Sequence, residues 1–592
     1  MKHLQKTALI LILALIIGLL SSACGSTKTV STNPEPRYHY GSQLDFIPNE
    51  EVEMVALSEM EYVRPTKEEV EEVSDALYHL AIKASSYESA EDFLKDYYPI
   101  LTRQRKIECM YYLSYFRHDV DQTDTYYQEE YDYCSGVYSS ISDKDYSLMS
   151  ALAHSSMKEE LETLLFGRNF FNDYLEDLHW NDTAYEYYRQ MYNLQNKFYT
   201  LNYEQKATYN GETKLLNEWL NSDSEEIKYN ATCAYIEQNH DELADIYIKL
   251  LKAAGKFAHE MGYDNYPAYV YAENYDGDYT TEQTQNFYRY VKTYLAPLAK
   301  NLCAKNPDIF NDIEREIYPY PEDIDLKVFL NSACQKMGGL IWEVCRFTTF
   351  YELYDCEFTP SKRAAGYSSY IPYYEAPVIF VNPAKYDVPY TVSHEFGHGV
   401  DHYYNYDCNK NASTVGEMYS QAMEYLILKY TDAFSEDIRK KSIDYKLSQY
   451  LLANILGACA SAAFEEAAYS LIPNEITAEK LDELYLQIRK DFGLENYYPE
   501  DIQAKSWVYR HHTFIQPCYT INYATSVIGS IEICMLEEEK HGKGVKTYEE
   551  MIKTTTGMSF AEVFENCPLD NPLEEDSIKA VAEFFKKMLE LE

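Results

Sequence analysis

Positive charge is scarce in this chain. Its 592 residues hold 52 Lys and Arg against 96 Asp and Glu, a formal net charge of −44. A polyanion is repelled by such a surface, so nucleic acid is excluded as a partner. An anionic membrane surface likewise repels the body of the protein. Glycine and proline are sparse too, at 21 and 20, which suits a helical protein with few long loops. The 13 cysteines include no CxxC pair, so a zinc-finger centre is not indicated. No internal repeat and no low-complexity tract marks the body.

The first residues stand apart. Lys2 and Lys6 precede an apolar run, Ala8 to Leu20, broken only by Gly18. That run is too short to span a bilayer comfortably and suits a secretory leader. Ser21-Ser22-Ala23-Cys24-Gly25 follows and resembles a bacterial lipobox, with its leucine at Leu20 rather than one residue later. The expectation is a signal peptide over 1–23, a lipidated Cys24, and a polar tether over 24–62. Such a protein is lipid-anchored on the extracytoplasmic face of the cell membrane. An ordinary signal peptide or a retained anchor is the competing reading. Export permits disulfides without requiring them. Cys233, Cys459 and Cys534 lie in apolar helical surroundings and are expected as buried thiols.

The densest chemistry is His394-Glu395-Phe396-Gly397-His398. On a helix, His394 and His398 leave the same face and can close on one zinc ion. Glu395 beside them is placed to take a proton from a water at that ion. Asp387 suits an N-cap and Pro389 a first helical turn. Val388, Val392, Phe396 and Val400 supply an apolar side. Upstream, Ala376 to Pro383 is a β-branched run between prolines and reads as an edge strand. An edge beside a metal helix can pair with an extended peptide; simple core packing is the alternative.

A third ligand is needed. Glu417 and Glu424 are seven apart on a helical segment and share a face. Thr414-x-x-Glu417 also has the pattern of a capping box, which would occupy the Glu417 carboxylate. Glu417 is favoured as the ligand and Glu424 as an acceptor for one of the imidazoles. Far downstream, His511-His512 precede Tyr519 and Tyr523, again four apart. Phenol and imidazole donors suit a developing oxyanion. With 62 tyrosines in the chain, packing is the simpler reading of that pair.

Helical patterns dominate 65–350, and again from 405 to the C-terminus. The expected fold is mostly α, with one small β-sheet next to the HExxH helix. The expected division is an N-terminal helical region over 63–350 and a zinc-binding catalytic region over 351–592.

These residues resemble the oligoendopeptidase F and thimet oligopeptidase family of zinc metallopeptidases. The resemblance rests on His394–His398, on Glu417-x-x-Ser420-x-x-x-Glu424 and on His512 through Tyr523. Lys362-Arg363-Ala-Ala-Gly366-Tyr367 and Leu569 through Glu575 look similar as well. His118–Asp121 and Gly262–Tyr266 are compatible but less specific. The resemblance implies two helical lobes around a deep channel that admits short unfolded peptides. It implies one Zn2+ on His394, His398 and Glu417, with Glu395 as general base. It makes His512, Tyr519 and Tyr523 contacts to substrate and transition state. Two departures stand out. Asp401 occupies a place where the family often has histidine, with His402 next to it, and the stretch from His398 to Glu417 is short. A lipoprotein that binds peptides without cutting them is the alternative function. An intact Glu395 argues against it.

Overall fold

A computed structural model describes residues 34, 37–38, 44–48, 51–175, 181–203, 206–222, 224–274, 279–320, 324–359, 361–363, 365–383, 388–405, 413–494 and 496–592. Cys24 and the leader lie outside the described residues, as does Asp387. The chain divides into two units, Met1–Pro36 and Arg37–Glu592. The rest of this description concerns the second unit.

Helices dominate it. Helix α1 (Lys67–Lys83) starts at a reciprocal capping box between Thr66 and Glu69. Helices α2 (Ala90–Val120) and α3 (Thr125–Ala153) start at Ser89 and Asp124 caps. Together α1, α2 and α3 close one core around Leu77, Phe93 and Leu148. Helix α4 (Glu225–Glu260) lines the second and larger core, which begins at Ala184 and continues to Leu589. That core draws on residues from both sides of position 350, for example Val344 and Phe396.

Residues 51–62, read from composition as tether, lie on the body. Val52, Leu57 and Met60 are buried, and the Met60 carbonyl accepts from Arg117.

The sheet beside the site has three strands: β1 (Tyr354–Asp355), β2 (Gly366–Ile371) and β3 (Ala376–Val381), in the order β1-β3-β2. Here the expectation is corrected. The proline-bounded run is the middle strand, wholly buried, and not an edge. Pro377 is tolerated there because β1 is short. It reaches only Ile379 and Phe380, so no ladder bond is asked of Pro377 on that side. The outer strand is β2, antiparallel to β3. A further hairpin, Lys206–Tyr209 with Glu212–Leu215, turns through Asn210-Gly211, both at positive φ. Asn-Gly is the usual two-residue hairpin turn, and the sequence reading passed over it.

Helix α5 (Val388–Asn405) lies against β2 and β3 on one side and α6 (Ser413–Tyr430) on the other. Its Val392, Phe396 and Val400 are buried, while Val388 is only partly so. Helix α7 (Glu436–Gln449) runs through a wide π-type stretch, Tyr450–Gly457, into α8 (Ala458–Tyr469). Helix α9 (Thr520–Glu539) packs along α6, and Ser530 donates to the Met418 carbonyl. Among the described residues no disulfide joins two cysteines. Cys459 and Cys534 are buried as expected, whereas Cys233 is only half-buried.

Candidate active site

The helical spacing of α5 puts His394 and His398 on one face, with ring centroids 4.9 Å apart. Helix α6 crosses that face and brings Glu417 to it. One ligand atom from each of His394, His398 and Glu417 lies within 4.8 Å of the others. All three side chains keep some exposure, from 16 to 24%. Glu417 Oε2 is inaccessible and has no hydrogen-bond partner. The capping-box reading of Glu417 fails on the same evidence. Helix α6 already includes Ser413, and Thr414 Oγ1 is itself buried without a partner. A buried carboxylate oxygen left open toward two imidazoles is costly unless a cation completes it. Two nitrogens and one carboxylate oxygen are the donor set that zinc takes.

Glu424, two turns further along α6, accepts from His394 Nδ1 at 2.8 Å. That contact turns His394 Nε2 toward Glu417, 3.5 Å from its Oε2. Glu424 is in turn held by two residues that no sequence motif marks. Lys446 of α7 reaches its Oε2 at 2.5 Å and lies 4.2 Å above the Tyr390 ring. Tyr450, in the π-type stretch, donates to the same oxygen at 3.2 Å. Burial alone would raise Glu424, but Lys446 and His394 hold it down to about 2. Burial works against His394 as well. The Glu424 hydrogen bond and the Glu417 charge overcome it and lift His394 to about 9. His398 is pushed well down by burial and then by His394 and His402.

Glu395 is buried at 7% exposure. Burial first, and then the Glu417 charge, push its pKa up to about 7 against the pull of His394 and a main-chain hydrogen bond from Ser368. A carboxyl with such a pKa can gain and lose a proton near neutral pH. The Ser368 contact joins the outer strand β2 to the site. His402, one turn after His398, lies 3.3 Å from Ser368 Oγ through Nδ1. Its neighbour Asp401 turns away and accepts from Asn405 at 2.7 Å.

The third segment groups an imidazole and two phenols. Ring centroids of His512 and Tyr519 are 6.1 Å apart and stacked. Tyr523 stands edge-on to both, at 5.7 and 5.3 Å. Burial and then the Glu417 charge raise both phenols, so both stay protonated donors. His512 is lowered by burial and by His511 and Arg510. This turn is shaped by Glu465 of α8, another residue the sequence did not mark. Glu465 accepts from Thr513 Oγ1 at 3.1 Å and from the Cys518 N–H, where the backbone is left-handed at φ 66°. On the other side of the site, Arg363, ahead of β2, ties the outer strand to the N-terminal helices: it and Tyr367 both donate to buried Asp119.

The sequence profile described as Peptidase family M3 matches residues 344–583, and the Peptidase M3 N-terminal domain matches 57–181. The chain belongs to peptidase family M3. It is therefore a peptidase with peptide substrates. The fold of this M3 peptidase is shared with solved structures. PZ peptidase A, crystallised with an inhibitor, has a TM-score of 0.73 at 20% identity over 90% of this chain and 99% of its own. A protein of Bacillus anthracis str. Ames assigned as an oligoendopeptidase F gives 0.70 at 22% identity over 90% and 98%. Oligoendopeptidase-F from Enterococcus faecium gives 0.53 at 15% identity over 89% and 99%. None of the proteins of curated function matches this sequence.

Proposed function

We propose that this M3 peptidase is a zinc-dependent oligopeptidase that hydrolyses short unfolded peptides on the extracytoplasmic face of a bacterial membrane. The observation that carries the reading is the convergence of His394, His398 and the unpartnered Glu417 oxygen within 4.8 Å, beside the buried Glu395. His394, His398 and Glu417 hold the ion, and Glu424 orients His394 from behind. When bound, zinc supplies a Lewis acid that polarises the scissile carbonyl and acidifies water. Glu395 accepts a proton from the attacking water and passes it to the leaving amine. Tyr519, Tyr523 and His512 donate to the oxygen that gains charge in the transition state. The outer edge of β2, whose Ser368 already meets Glu395, accepts the peptide as an added strand. Cys24 carries the lipid in this reading, supported by Lys2, Lys6, the apolar run and the small residues before the cysteine.

Metal content and hydrolysis of a mixed peptide library test the catalytic part. One zinc per chain, activity lost on chelation and restored by zinc, and a Glu395→Gln variant that keeps zinc but loses turnover are expected. Tight peptide binding without cleavage by the zinc-loaded protein would replace it with the non-catalytic lipoprotein. Fatty-acid labelling of cells tests the address: label on the wild type and none on Cys24→Ala is expected, and label that persists in Cys24→Ala removes that site.

A further inference from the structure

A cavity of about 170 Å³ opens between α2, α3 and the turn that follows β2. Its wall includes Gln104 and Glu108 of α2, Asp145 of α3, the rings of Tyr97 and Phe166, and Pro372. Water takes roughly 30 Å³ per molecule, so the space suits a terminal ammonium group with its first carbons. The lining is largely apolar, and its charged groups are Glu108, Asp145 and Arg105. Arg105, the cation on the wall, is tied to Glu375 at 3.0 Å. Gln104 donates its amide to Glu108 at 3.0 Å, which leaves its carbonyl oxygen spare. That oxygen, on a side chain only 5% exposed, has no hydrogen-bond partner, and neither does Asp145 Oδ1. Two buried acceptors without donors beside one cavity mark a place for a donor-rich cation. Burial pushes Asp145 up to about 6 against a hydrogen bond from the Gln104 side chain, and its Oδ1 stays without a partner.

The position of the cavity relates it to the substrate. Strand β2 runs from Gly366 to Ile371, and Pro372 follows at once. A peptide added antiparallel to β2, the more stable pairing, runs with its N-terminus toward Pro372. Ser368 marks the catalytic end through Glu395. From Ser368 to Pro372 is four residues, about 13 Å at roughly 3.3 Å per residue.

We infer that this cavity binds the alkylammonium group of the substrate, that of its free N-terminus, and so sets the cut about four residues from that end. The inference rests on the proposed pairing of peptide with β2. The aromatic rings of Tyr97 and Phe166 add a face that a cation favours, and the acidic body of the protein draws cations toward it.

The test compares synthetic peptides of six to twelve residues, each with a free or acetylated N-terminus and a C-terminal fluorophore. Affinity is read by anisotropy on the chelator-treated full-length protein, which needs no turnover. Acetylation is expected to weaken binding at least tenfold, and the Asp145→Asn/Glu108→Gln double variant to erase most of that difference. An acetylated peptide with lysine at the same distance separates the sources: restored binding assigns any alkylammonium, and unrestored binding assigns the terminal amine. Mass spectrometry of products from wild-type protein supplies a readout independent of the variant's folding. Cuts at a fixed distance from the free end are expected across different sequences. Equal affinity for free and acetylated peptides, or cut positions that follow sequence instead of distance, overturns the inference. If the amine preference holds while zinc-loaded protein cuts nothing, the oligopeptidase reading falls and the cavity stands.

Discussion

Gly397 and Ser420 stand closer than a side chain between them would permit. A Cβ on Gly397 would lie 2.5 Å from Ser420 Cα and 3.0 Å from the Tyr419 carbonyl oxygen. The glycine inside the HExxH motif is therefore what lets α5 and α6 approach, and that approach delivers Glu417 to the histidines. The obstructing atoms are backbone, so relief requires moving a helix. Gly397→Ala is expected to cost about 1–3 kcal/mol through overpacking and to weaken metal retention, because Glu417 moves away from His394 and His398. Thermal melting and zinc content after dialysis check this. Wild-type values for both would show that the helices shift without disturbing the site.

The pair of glutamates on α6 divides by role. Glu417→Ala is expected to lose zinc on dialysis, since a ligand oxygen is removed outright. Glu424→Ala is expected to retain it more weakly than wild type, by roughly 10–100-fold in affinity. Lys446→Met tests the same relay from behind. Removing one partner of a buried ion pair costs on the order of 3–5 kcal/mol, so this variant melts earlier and also binds zinc less tightly. The double variant Lys446→Met/Glu424→Gln should recover stability more than zinc affinity. If Glu424→Ala loses the metal and Glu417→Ala keeps it, the two roles are exchanged.

Stability should carry a pH signature away from the metal site. Glu532 of α9 is buried and accepts from Ser577 at 2.6 Å and from the Asp570 N–H at 2.7 Å. Burial nevertheless pushes it up to about 7. An unfolded glutamate titrates near 4.3. Between those values the folded state binds the extra proton, so the stability present below about pH 4 is lost as pH rises through 7. The loss is about 3–4 kcal/mol at 1.36 kcal/mol per unit. Glu532→Gln cannot ionise. Its stability relative to wild type should improve by about that amount between pH 4.5 and 8. Parallel unfolding curves across this range would show that Glu532 is already ionised in the folded protein.

What the sequence disclosed follows the range of the forces involved. The approach of His394 to His398 is a property of one helix and could be read from a spacing of four. The placement of Glu417 needed only the next helix and a shared face. Lys446 lies 22 positions from Glu424 on a different helix, and no periodicity links them. Glu465, which holds the turn before Tyr519, is 53 residues from Cys518 and is equally silent. Pro377 misled because proline in a strand usually marks an edge, whereas here the short partner strand β1 leaves its nitrogen unopposed. The mostly helical fold was legible from the scarcity of glycine and proline and the length of the periodic segments. The Asn210-Gly211 hairpin is a local signal carried by two adjacent residues.

Tyr519 and Tyr523 present the sharpest contrast between packing and chemistry. Their rings meet edge to face at 5.3 Å, and both contact His512, an arrangement that packing alone would explain. Their position argues for more, because the Glu417 charge acts on both phenols. A phenol within electrostatic reach of Glu417 is also within reach of charge that develops beside that carboxylate. Such a donor strengthens its bond as charge develops, so its loss lowers kcat with little change in KM. One donor is typically worth about 10²–10³ in rate. Tyr523→Phe is expected to show that loss with zinc content and melting temperature near wild type, and Tyr519→Phe a similar or smaller one. The substitution deletes only the hydroxyl and leaves the ring contacts in place, so a packing role survives it. Full kcat in both variants would assign these rings to packing and leave His512 as the donor to test.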